Sequence, residues 1–150
     1  MLHAELPVVH YISIGPLRKE MMKQPRVRRV VCIEDEPDMI DLVRLILERK
    51  GFQVIGAEGG VEGLETIRKE KPDLILLDLM MPDMDGWEVY QQVKADEELS
   101  AIPVVVVTAK AQSIDKVLGL HIAKVDDYIT KPFGPDELLE SVEKILRSSK

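Results

Sequence analysis

Apolar residues follow two alternating rhythms along this chain. Short continuous runs of apolar or β-branched residues stand at 30–33 (VVCI), 52–57 (FQVIGA), 74–77 (LILL) and 103–107 (PVVVV), with a last short one ending at Tyr128-Ile129. Runs of this length with no polar alternation suit strands buried on both faces. Between them the spacing turns helical. Pro37 opens a helix at a position that tolerates it, with acids at Glu36 and Asp38 in the first turn. Its stripe is Ile40, Val43, Leu45, Ile46 and Leu47, and Gly51 supplies the stop.

Further helices are predicted over 61–69, with Leu64 and Ile67 inward, and over 87–95, with Trp87, Val89 and Tyr90 as packing residues. A fourth runs from a Ser113 cap to near Gly119. A last one starts at Pro135, with Leu138, Leu139, Val142, Ile145 and Leu146 inward. Five such βα units predict an α/β fold, a doubly wound parallel sheet with helices on both faces.

Composition changes this picture little. At 150 residues the chain is one domain's worth, 45% hydrophobic and 31% charged, as in an ordinary globule. Its apolar runs fall far short of the roughly 20 residues that cross a bilayer. The lone Cys32 excludes an internal disulfide and fits a reducing, cytoplasmic setting, where it reads as a small buried hydrophobe. Charge is more telling: residues 1–29 carry net +4 and residues 30–150 net −11. So acidic a body repels nucleic acid. Residues 1–25 show no signal-peptide pattern and are read as a poorly ordered extension, with Met21-Met22 as a second possible start, and 26–150 as the folded domain.

The chemistry lies just past the strands. Glu34 and Asp35 follow the first, Asp78 the third, Thr108 the fourth and Lys131-Pro132 the fifth. The second ends in Ala57-Glu58-Gly59-Gly60, read as a loop because it lacks phosphate-loop spacing. In an open parallel sheet, ligands bind beyond the carboxyl ends of the strands. For strand order 2-1-3-4-5, three carboxylates, a hydroxyl and an ammonium share one rim. Oxygen ligands crowded in this way call for a hard cation such as Mg²⁺. Lys131 and Thr108 can then meet an anionic group, and Asp78 is a candidate nucleophile, since carboxylates form acyl phosphates. Asp83 and Asp85 are read as turn formers before Gly86, for which a positive φ is expected. His3, His10 and His121 are too scattered for a metal site.

Four stretches in order, VVCIEDEPDMIDLV, PDLILLDLMMPDMDGWEV, IPVVVVTAKA and DDYITKPFGPDELL, resemble the receiver domain of two-component response regulators. The resemblance covers residues 30–147 and implies the 2-1-3-4-5 order. It implies that Asp78 is the phosphoacceptor and that Asp35 ligates Mg²⁺ directly. Glu34 would ligate mainly through water, and Met80 through its backbone carbonyl. Lys131 would pair with the phosphoryl group, its bond to Pro132 being cis. Thr108 would swing toward the phosphate, and Tyr128 would follow as the aromatic switch; the plainer alternative makes Tyr128 a core aromatic.

Glu34 stands where this family most often has Asp, and residues 121–125 (HIAKV) replace a small-residue entry to the fifth strand. Met80 and Lys110 occupy positions that influence phosphate lifetime. The implied partners are a histidine kinase or phosphotransfer protein and a downstream protein target, with no direct nucleic acid and no membrane. The face of the fourth helix, fifth strand and last helix would be open to homodimer formation. A stand-alone switch that assists its own phosphorylation and dephosphorylation, without being a conventional enzyme, is the expected function. Two alternatives are an aspartyl-phosphate phosphohydrolase, which usually wants an acid where Met80 stands, and a constitutive binding module.

Overall fold

The computed structural model describes residues 26–109 and 125–148. Five parallel strands form one sheet: β1 (Arg29–Ile33), β2 (Gln53–Ala57), β3 (Leu74–Asp78), β4 (Val104–Thr108) and β5 (Asp127–Thr130). Their order is β2-β1-β3-β4-β5. Four helices are described: α1 (Pro37–Glu48), α2 (Gly60–Glu70), α3 (Gly86–Ala95) and α4 (Pro135–Ser148). The helix expected from Ser113 to Gly119, Lys110, residues 121–124 and the extension 1–25 all lie outside the described residues.

Strand alternation divides the core in two. Val30, Cys32, Leu74, Leu76, Val105 and Val107 point to one face, where Ile40, Val43, Ile46 and Leu47 of α1 and Leu138, Val142, Ile145 and Leu146 of α4 cover them. Val31, Ile33, Ile75, Leu77, Val104 and Val106 point to the other, under Leu64 and Ile67 of α2 and Val89, Tyr90 and Val93 of α3. Each fully buried Val or Leu contributes about 1.5–3 kcal/mol. Burial on both faces is why β3 and β4 read as unbroken apolar runs. Burial also pushes the Cys32 thiol up to about 12, which suits an inert core residue.

Leu45 departs from its expected place and is 54% exposed. A helix turns 100° per residue, so Leu45 lies some 200° around from the inward Val43, on the outer side of α1. Gly51 does take the left-handed backbone of a helix stop, at φ +90°.

Candidate functional site

Register decides which groups meet at the carboxyl rim. Ile33 pairs with both Ala57 and Leu77, so Glu34 emerges beside Asp78, the last residue of β3. Asp78 pairs with Val107, and Thr108 with Thr130, which sets Lys131 on the same rim. The Lys131–Pro132 peptide is cis.

Ligand oxygens of Glu34, Asp35 and Asp78 all lie within 4.8 Å of one another. Glu34 and Asp78 are buried, at 2% and 4% exposure. The Lys131 ammonium reaches Glu34 Oε2 at 2.6 Å and Asp78 Oδ2 at 3.6 Å. It also lies 3.8 Å from Glu36, an acid that sequence reasoning took only for a first-turn helix residue. Met80 donates its backbone N–H to Asp78 Oδ1 at 3.1 Å, so the two oxygens of Asp78 have different neighbours.

The electrostatics follow from crowding. Burial raises the Glu34 carboxyl above the usual range and the neighbouring Asp78 pushes the same way, while Lys131 pulls it back. Burial works against the Lys131 ammonium, but its bond to Glu34 and the charges of Asp78, Glu34 and Glu36 outweigh it and raise its pKa. Three carboxylates against one ammonium leave a surplus of hard oxygen donors, the set that suits a small divalent cation. Thr108 adds a second sign of incompleteness. It is fully buried and its Oγ1 has no hydrogen-bond partner among the described residues. An orphaned hydroxyl costs about 1–3 kcal/mol.

The other expected residues sort unevenly. Tyr128 is 46% exposed on the edge strand β5, which excludes the plain core aromatic. Met80 is half exposed beside the pocket lined by Leu79, Met81, Pro82 and Asp85. Gly86 does not take a positive φ. It is required for space instead, because a Cβ there would stand 2.4 Å from the Asp78 carbonyl oxygen. Asp85 caps α3 by accepting from Trp87 N at 2.9 Å. Asp83 is no simple turn former, because it accepts from Gly60 N and Val61 N at 3.1 and 3.2 Å, across the top of the sheet. Gly60, read as loop, is the first residue of α2. No composition or period signals these bonds, because each joins groups more than 20 residues apart.

A doubly wound sheet whose rim gathers acids around one lysine defines a class of phosphorylation-dependent signalling domains. The chain belongs to the response regulator receiver domain family, whose model matches residues 30–143. It is 43% identical over 122 residues to the alkaline phosphatase synthesis transcriptional regulatory protein PhoP of Bacillus subtilis. That match covers 81% of this chain and 50% of the relative, so the chain spans half the relative's length. Two of the similar solved structures illustrate the match. One is a CheY-like response regulator receiver domain protein of Methanospirillum hungatei JF-1, with TM-score 0.74, 31% identity and coverage of 83% and 97% of the two chains. The other is the signal receiver domain of a signal transduction histidine kinase of Syntrophus aciditrophicus, with TM-score 0.75, 31% identity and coverage of 83% and 93%. Among the described residues no helix is long and apolar enough to cross a membrane.

Proposed function

We propose that this receiver domain is a cytoplasmic switch loaded on Asp78 by a histidine kinase or phosphotransfer protein, with Mg²⁺ at the rim. The observation that carries the reading is the asymmetry at Asp78. One carboxylate oxygen accepts from Met80 N, and the other faces the Lys131 ammonium at 3.6 Å. The oxygen facing Lys131 attacks phosphorus. The bond from phosphorus to the donor's imidazole nitrogen breaks, and its electron pair returns to that nitrogen.

Asp35, Asp78 and the Met80 carbonyl would hold the cation, and Glu34 would do so mainly through water. The cation supplies charge neutralisation for the arriving phosphoryl group. Lys131 leaves Glu34 for a phosphoryl oxygen, and Thr108 gains the acceptor its hydroxyl lacks. The acyl phosphate carries about −1.5 to −2 charges where the carboxylate carried one, biasing the surface around Tyr128 and the β5–α4 face toward a downstream protein or a second copy of the chain. Hydrolysis of the acyl phosphate resets the switch.

Intact mass after acetyl phosphate and Mg²⁺ tests the assignment. One phosphoryl adduct is expected on the wild type and none on Asp78→Asn. Equal adducts on both would end it. Steady turnover of a phosphate monoester would instead favour a phosphohydrolase.

A further inference from the structure

The loop between β3 and α3, residues 79–85, is fastened at three points. At its start, Met80 N donates to Asp78 Oδ1. At its end, Gly86 N donates to the Leu79 carbonyl at 3.1 Å. The third tie leaves the loop altogether. Asp83 Oδ1 accepts from Gly60 N and Oδ2 from Val61 N, at 3.1 and 3.2 Å.

Those two amides open α2, whose N-cap Gly59 has no side chain to satisfy them. The glycines also make the room. A Cβ at Gly59 would stand 2.9 Å from an Asp83 oxygen, and one at Gly60 would stand 2.7 Å from Met84 Cβ. Gly59 itself sits at φ +107°, a backbone that side chains disfavour. The backbone bonds from Gly60 and Val61 hold the Asp83 carboxyl below its ordinary range, as expected for an acid that works ionised.

We propose that Asp83 is a positioning residue for the phosphoacceptor: by tying the loop to the start of α2 it keeps the Met80 peptide against Asp78 Oδ1. Asp83 touches neither the phosphoryl group nor the cation. It acts through Met80, whose amide orients the carboxylate and leaves the other oxygen toward Lys131. The inference rests on Asp78 as phosphoacceptor, and its test separates the two.

Amide hydrogen exchange by NMR on the metal-free full chain is the first arm. In Asp83→Ala, exchange is expected to quicken at Gly60, Val61 and also Met80. Glu62→Ala serves as the control, because Glu62 Oε2 accepts from Glu58 N at 3.2 Å at the same helix start without touching the loop. It should quicken exchange near α2 and leave Met80 alone.

The second arm is the rate of adduct formation from acetyl phosphate with Mg²⁺. Asp83→Ala should slow it about tenfold, the scale on which misplaced supporting groups act. Asp83→Asn, keeping one acceptor oxygen, should slow it less, and Glu62→Ala should leave it unchanged. A Met80 amide that exchanges no faster in Asp83→Ala overturns the role of Asp83, as does an equal slowing by Glu62→Ala. A wild type that takes no phosphoryl group overturns the phosphoacceptor reading instead, and Met80 exchange still decides whether Asp83 holds the loop.

Discussion

At the amino ends of the strands Asp73 and Asp126 each sit beside a donor. Asp73 accepts from Arg29 N at 2.8 Å and from the Arg26 guanidinium, and Arg29 in turn donates to the Glu70 carbonyl at 2.8 Å and pairs with its carboxylate. Asp126 accepts from Val104 N at 2.8 Å. At the carboxyl ends, acids sit beside one another. Glu34 and Asp78 share the Lys131 ammonium with Asp35 crowded beside them, and Thr108 Oγ1 is buried with no partner among the described residues. Residue types do not distinguish the rims, since both are rich in carboxylates. What separates them is whether the folded chain satisfies its own charges or leaves the completion to something that binds.

The largest expected effect breaks the compensation that Lys131 gives the carboxyl rim. Lys131→Met leaves Glu34 and Asp78 buried without their ammonium, which should cost about 3 kcal/mol in metal-free protein by urea unfolding. Mg²⁺ at about 100 times its dissociation constant should raise the variant's stability by about 2.7 kcal/mol. No stabilisation of either protein by Mg²⁺ would mean that the acids do not act as a cation site.

Asp73→Ala sharpens the comparison from the other end. It removes a part-buried acceptor from Arg29 N and should cost about 1 kcal/mol, with phosphorylation unchanged. The Arg26 partner is exposed and adds little. Burial works to raise the Asp73 carboxyl, but Arg26 and the Arg29 amide prevail and lower it. A depressed folded-state pKa gives stability that is full above the unfolded value and lost as pH falls through the folded one. The two proteins should therefore unfold alike at strongly acid pH and differ near neutrality. A difference that persists in acid would assign the effect to packing.

Thr108→Val carries the smallest effect and the opposite sign. It replaces an orphaned buried hydroxyl with a methyl of similar shape, so stability should hold or rise by up to about 1 kcal/mol. The shift in thermal midpoint that beryllofluoride and Mg²⁺ bring should meanwhile shrink. A destabilised variant would show that the hydroxyl already has a partner.

Much of this was legible in the sequence because strands and their caps are local. The five apolar runs, Pro37 and Pro135 at helix starts, and the acids, threonine and lysine at four of the strand tips all follow from near neighbours. The strand order came from the motif resemblance alone, and it is what turns separate tips into one rim. What stayed hidden was contact between distant segments. Asp83 reads as any turn aspartate, Gly86 as a turn glycine of positive φ, and Glu36 as a first-turn acid, because their roles depend on what folds against them. Leu45 misleads for another reason: three successive apolar residues span about 200° of the helix, and only Ile46 and Leu47 of them face the core.

Trp87 follows Gly86 directly, and Gly86 is packed against the Asp78 peptide. The ring meets Tyr90 edge-on at 5.6 Å, and it is the only tryptophan in the chain. The protein therefore carries a native optical probe next to the glycine that packs on Asp78. On the proposed function its emission is expected to report loading and reset in real time, with no dye attached and no surface altered.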